Sequence, residues 1–320
     1  MSCGKTKERE HGPSFTTEDI YKGTQGIIVE FIKDTPPDNS IENKFLPIAF
    51  KISNKGACYV GVNDAENNLL VPSMAYITIK PIEIKINKGS LTSIKGEDIE
   101  TLDEKKFRIA LEGKSIENPD GDYSIITFTV DSTIDDIVKT KNAQIIVNYC
   151  YGYKTRAIAT ACIDPDPYGI KIKNKPCNIR PIVLDSQGAP IAVTKIETTM
   201  VPDQKNKELM KPRFIVYIAN KGTGRVVSYS TDEETLEREC STTPNTNEWD
   251  KIKIEASLRG KPLKCENNGI ITLKDNKGTI LCESEVGYSS ETQTFSSPLV
   301  VTLEYAYKDK TLRSIKITKI

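Results

Sequence analysis

One histidine is all the sequence contains, and it is His11, inside the polar run KTKEREHGPS. Ser-His-Asp and Cys-His sites need an imidazole held in a rigid pocket, which a residue in such a run does not supply. Zinc, haem and non-haem iron sites built on histidine lack their ligands for the same reason. No cofactor is implied. Charge of one sign is also missing: 44 Lys and Arg balance 44 Asp and Glu, and basic residues cluster no further than pairs. Nothing therefore draws nucleic acid to the chain as a whole. No apolar run approaches the roughly 20 residues that cross a bilayer as a helix.

Other absences narrow the chemistry further. No two cysteines form a CxxC pair, which argues against a zinc ribbon or a thioredoxin-type centre. Gly222-Thr223-Gly224 lacks the downstream pattern of a phosphate loop. No Asn-x-Ser/Thr acceptor occurs, so N-glycosylation at that motif is not expected. What survives is carboxylate or lysine chemistry. A glycosidase-like hydrolase with two acids across a cleft is one alternative.

What the sequence has in quantity is short alternating β-branched segments bounded by Gly, Pro and Asn, with almost no amphipathic helix. That pattern predicts an all-β protein of antiparallel sandwiches. Ile145–Ile163 (IIVNYCYGYKTRAIATACI) alternates like a strand and is expected to turn near Lys154, giving a β-hairpin. Val300–Ile317 (VVTLEYAYKDKTLRSIKI) echoes it, with Tyr305, Tyr307 and Lys308 answering Tyr151, Tyr153 and Lys154. Two further landmarks recur in the same order. Gln187-Gly188 answers Gln25-Gly26, and Asn220-Lys221-Gly222 answers Asn54-Lys55-Gly56. Gly26 and Gly188, Asn54 and Asn220, and Tyr151 and Tyr305 lie 162, 166 and 154 residues apart. Near-constant offsets point to a tandem duplication. The expected organisation is a polar tether over residues 1–20, one immunoglobulin-like sandwich over 21–180 and a second over 181–320. Each Asn-Lys-Gly reads as a hairpin turn, because Asn and Gly tolerate positive φ. Pro81 inside Tyr76–Ile86 marks a sheet edge or bulge. Glu97–Lys106 reads as a loop or marginal helix, Thr231–Asn247 as a loop or short helix, and Asp131–Lys139 has room for one helical turn.

Eight cysteines, spread through strand-like segments, suit disulfides in an oxidising compartment. Cys162 and Cys177 flank an extended segment and are placed to clip it. Cys265 and Cys282 are close enough to bridge neighbouring strands, and Cys150 and Cys240 complete the disulfide candidates. The alternative is buried free thiols in an intracellular or assembly-forming structural protein. Cys3, in Ser-Cys-Gly ahead of a polar tether, reads as the lipid-bearing end of a lipoprotein, with an ordinary thiol as the plain alternative. Asp164 and Asp166 present two carboxylates on an extended Pro-rich loop. They are weak metal candidates, since Ca²⁺ takes six to eight oxygens, and a solvated linker explains them as well. Tyr149, Tyr151 and Tyr153 share one strand face and, with Tyr168, form a candidate binding surface. A half-buried structural row is the competing reading, favoured by the recurrence at Tyr305 and Tyr307.

The segments PIAFKISNKGACYV (Pro47–Val60) and FIVYIANKGTGRVV (Phe214–Val227) resemble the CARDB domain, the cell-adhesion-related immunoglobulin-like module of bacterial and archaeal surface proteins. The resemblance covers about the first half of each unit, and leaves out the Tyr-x-Tyr-Lys segments and the cysteines. It implies a non-enzymatic extracytoplasmic scaffold or adhesion protein with a protein or surface polysaccharide as partner. It brings no catalytic residues.

Overall fold

The computed structural model describes residues 17–61, 75–87, 90, 92–95, 99–103, 105–133, 138–171, 174–230, 232–240 and 246–320. His11 and Cys3 lie outside them, as do residues 134–137 of the expected helical turn at 131–139. The fold is all-β, with 57% strand and 6% helix. After the one-turn helix α1 (Thr17–Ile20), the first half holds β1 (Ile27–Phe31), β2 (Asn39–Ile41), β3 (Phe45–Asn54), β4 (Ala75–Ile82) and β5 (Lys85–Ile86). It continues through β6 (Thr92–Lys95), β7 (Ile99–Asp103), β8 (Lys106–Ile109), β9 (Tyr123–Asp131) and β10 (Thr140–Ile163). The second half holds β11 (Ile182–Val183), β12 (Ile191–Pro202), β13 (Leu209–Asn220), β14 (Arg225–Ser228), helix α2 (Glu233–Glu239) and β15 (Lys251–Leu258). Then come β16 (Lys261–Cys265), β17 (Ile270–Thr272), β18 (Lys277–Ser284), β19 (Tyr288–Ser289) and β20 (Phe295–Thr318).

The order β1-β3-β9 in the first half is matched by β12-β13-β18 in the second. Below these lie β10 flanked by β4 and β20 flanked by β15. Strand β16 bonds β15 through Ser257↔Pro262 and then β18 through Leu263, Lys264 and Cys265, which carries the sheet around a corner. The longest element is the ladder between β10 and β20, antiparallel and unbroken from Thr140↔Thr318 to Ile163↔Phe295. The expected hairpin at Lys154 is therefore absent, as is its counterpart at Lys308: each is one continuous strand of 24 residues. The physical reason is local. Neither YGYKTR nor YAYKDK contains a residue at positive φ, and Gly152 lies flat in the ladder opposite Ala306. One sheet therefore runs through both halves.

Alternation sets the inner face. Along β10 every odd-numbered residue from Ala143 to Ile163 is buried, and Leu299, Val301, Leu303, Tyr305 and Tyr307 do the same on β20. Burying each large apolar side chain contributes about 1.5–3 kcal/mol. The two halves share one continuous core, which includes Phe50, Phe128, Tyr151, Phe214 and Tyr305.

Three local readings change. The Asn-Lys-Gly segments do not close hairpins: β3 pairs only β1 and β9, and the chain after Asn54 crosses to the other sheet. Neither Gly56 nor Gly222 has positive φ. Residues 97–106, expected as a loop or helix, include β7 and the start of β8, because Phe107 and Ile109 enter the core and recruit the segment before them. The long alternation at Tyr76–Ile86 splits, with β4 pairing β10 and β5 pairing β9 across a kink at Glu83 (φ 59). Pro81 does lie beyond the part of β4 that pairs β8, at a local edge. Thr231–Asn247 carries the short helix α2 in its described part. Asp275 and Asn276 take positive φ between β17 and β18, as a tight turn there requires.

Candidate functional site

The tyrosines sit at the centre of the ladder. Tyr151 faces Tyr307 and Tyr153 faces Tyr305 in register. The rings form a closed quartet, with centroids 5.6 Å apart for Tyr151–Tyr153, 5.9 Å for Tyr151–Tyr307, 6.3 Å for Tyr153–Tyr305 and 6.3 Å for Tyr305–Tyr307. Edge and tilted contacts of this kind add about 0.5–1.5 kcal/mol each beyond burial. Each hydroxyl at the outer pair meets an Asn-x-Gly crossover. The Cys58 N–H donates to Tyr153 Oη at 3.1 Å, and Tyr307 Oη donates to Asn220 Oδ1 at 3.1 Å. The crossovers are wired alike. Asn54 Nδ2 donates to the Cys58 carbonyl and Asn54 Oδ1 accepts the Gly56 N–H (2.7 and 3.2 Å); Asn220 does the same with Gly224 and Gly222 (2.8 and 3.0 Å). A Cβ on Gly56 would overlap the Tyr153 hydroxyl, and one on Gly222 would lie 2.5 Å from the Tyr307 hydroxyl. Close approach, not left-handed backbone, is what demands glycine here.

Burial raises the phenols of Tyr149, Tyr151, Tyr153, Tyr305 and Tyr307 above their ordinary range, since an anion in the core loses its hydration. Burial likewise pushes the Cys58 thiol up to about 11. Tyr149, Tyr151 and Tyr153 are 6%, 1% and 0% exposed, so they present no binding surface. The candidate surface loses these three members because the face they share is the one the opposite sheet covers.

Tyr168 is the exception, at 84% exposed, with Ile170 at 79%. Both stand on the segment that follows β10, and that segment is tied down from inside. Cys162–Cys177 closes it, with Cα atoms 5.9 Å apart. Asp164 accepts from Lys175 Nζ (2.6 Å), Thr294 Oγ1 (3.0 Å) and the Asp166 N–H (3.1 Å). Asp166 accepts the backbone N–H groups of Ile170 (3.1 Å) and Lys171 (2.8 Å), and its own carbonyl accepts from Lys175. Both carboxylates are buried, so the solvated-linker expectation fails. The weak metal expectation fares no better, because the Lys175 ammonium already occupies the cation's place. No group of three or more His, Cys, Asp or Glu suited to a metal occurs among the described residues. The sequence signal for this clip was Asp-Pro-Asp-Pro inside the Cys162–Cys177 span. Lys175 as counter-ion was not predicted.

The other disulfides are Cys150–Cys240 and Cys265–Cys282. All six candidate cysteines are therefore paired, which fits an oxidising environment and not the free-thiol alternative. Cys150–Cys240 fixes α2 over a second, smaller core of Tyr76, Cys150, Val227, Leu236 and Ala306 on the outer face of the ladder. A cleft of about 580 Å³ opens where β16 leaves β15, lined by Glu255, Ser257, Lys264 and Thr302 among others. Its volume is within the range of ligand pockets. No helix among the described residues is long and apolar enough to cross a membrane.

Fold and site together define a disulfide-stapled, sandwich-like all-β protein. No family model matches the chain, and no curated protein matches it. A solved structure titled BspA_C_WT is similar at 10% identity over 90% of this chain and 97% of that one, with a TM-score of 0.19. A superposition that loose carries no argument.

Proposed function

We propose that the chain is a non-enzymatic extracytoplasmic scaffold or adhesion protein of the CARDB-like kind, held at the cell surface through a lipid on Cys3. Its contact with a protein or surface polysaccharide is made by the loop closed by Cys162–Cys177. The observation that carries this reading is the display of Tyr168 and Ile170 on a loop whose Asp164 and Asp166 carboxylates are buried and hydrogen-bonded. The bonds to Asp164 and Asp166 restrain the backbone at Ile170 and Lys171 before binding, which lowers the entropic cost of contact. Tyrosine on a rigid loop offers a large amphipathic contact area at low entropic cost.

The test is binding of the purified chain to cell envelopes of the source organism. The double variant Y168A/I170A lowers binding at least tenfold and leaves thermal stability unchanged, since both side chains are in solvent. Equal binding by the variant defeats the loop assignment. Mass analysis of protein taken from those cells, without reductant, reads three disulfides and a lipid on Cys3; eight free thiols defeat the compartment assignment.

A further inference from the structure

The register of the central ladder carries information beyond stability. Gly152 faces Ala306, with Tyr151 opposite Tyr307 and Tyr153 opposite Tyr305. In the sequence echo, Tyr151 answers Tyr305, Gly152 answers Ala306 and Tyr153 answers Tyr307. Each strand thus meets its own counterpart, run in the opposite direction, and the ladder is centred on the same position of both. Strands that are not equivalent have no reason to choose that register. The flanks obey it too. β4 lies against Gln144–Tyr151 of β10, and β15 against Lys253↔Glu304 to Leu258↔Leu299, the matching stretch of β20. The same bonds tie Asn54 and Asn220 on the two sides. Two identical subunits related by a twofold axis meet in this way, residue i on j and j on i.

We propose that the β10–β20 ladder is a self-complementary interface, internalised when two copies of one unit were fused. The partner it fits, besides the other half of the same chain, is the corresponding half of a second copy. Once the Cys150–Cys240 bond that ties the halves of one chain together is removed, two chains can exchange halves, with β20 of one lying on β20 of the other and β10 on β10, while the tyrosine quartet is kept. The Cys177-to-β11 stretch, largely exposed, is the hinge.

The experiment uses the full-length chain with Cys3, Cys58, Cys150 and Cys240 changed to Ser, the last two because their disulfide ties the halves of one chain, unfolded under reducing conditions and refolded oxidatively from low micromolar to several hundred micromolar. Light scattering is expected to show monomer at the bottom of the range and dimer at the top. The dimer-to-monomer ratio should rise about tenfold per tenfold concentration, as a second-order step requires. A306C in this background then forms a 306–306 disulfide dimer. Because Ala306 is buried and its variant could misfold, T302C/K310C is the second reporter. Those positions face each other only when β20 meets β20, and a short thiol cross-linker joins them between chains. Monomer at every concentration overturns the proposal. So does a dimer in which A306C links only to G152C of a co-refolded chain, because that ladder would recognise the unlike half alone.

Discussion

Changing Gly56 to Ala tests the crossover and the tyrosine quartet together. The added methyl would sit 2.6 Å from the Gly188 carbonyl and 2.7 Å from the Gln25 carbonyl, and would overlap the Tyr153 hydroxyl. Two of these neighbours are backbone, so the site cannot relax by turning one flexible side chain. Overpacking of this sort costs about 1–3 kcal/mol. The displacement also strains bonds anchored here: Cys58 N–H to Tyr153 Oη, Ala57 N–H to the Gly188 carbonyl at 2.8 Å and Lys114 N–H to the Gly56 carbonyl at 2.8 Å. Losing one or two of them adds about 1 kcal/mol each. The expected loss is about 2–5 kcal/mol, read as a lower urea midpoint at unchanged slope. Y153F removes the overlapping oxygen, so in a double-mutant cycle it recovers about 1–2 kcal/mol of the loss while the carbonyl contacts keep the rest. A loss for G56A under 1 kcal/mol, or no coupling to Y153F, would refute the reasoning.

D164N leaves the Lys175 ammonium, 16% exposed, without its charged partner; breaking a buried pair on one side costs about 3 kcal/mol, and D164N/K175M should recover most of it, checked by thermal melts. Among disulfide variants, C150S/C240S should cost most, about 4.5 kcal/mol for a separation of 90, against about 3 kcal/mol for C162S/C177S at 15; equal urea midpoints would contradict this order. Stability should fall at alkaline pH. The Cys58 thiol and the core phenols ionise at higher pH folded than unfolded, so their contribution is complete below about pH 9 and is lost as pH rises toward about 11 and beyond. Phenolate absorbance is the readout: Tyr149, Tyr151, Tyr153, Tyr305 and Tyr307 should stay silent until the chain unfolds, and absorbance in the folded protein that accounts for all 13 tyrosines near pH 10 would count against it.

How much of this was legible beforehand follows from the range of each signal. Alternation is local, so the strands, the all-β class and the inner face of Ile145–Ile163 could be read residue by residue. The Cys162–Cys177 clip was legible because its partners flank one short segment. The hairpins at Lys154 and Lys308 were misread because an unbroken strand and a hairpin share the same alternation; only the absence of a turn former separates them. Glu97–Lys106 was misread because its strand is imposed by Phe107 and Ile109, which lie beyond or at its margin.

The sequence by itself determined that this is a β-rich chain without a histidine-based site, with six cysteines positioned to pair and a recurring Tyr-x-Tyr-Lys. Only the tertiary structure decided that the two recurrences face each other and that Gly56 and Gly222 make room for tyrosine hydroxyls. It alone gave Lys175 to Asp164, and left Tyr168 in solvent while Tyr151 and Tyr153 are sealed. The reason is physical: periodicity says which side chains share a face, but which surface covers that face is settled by contacts between residues more than a hundred positions apart.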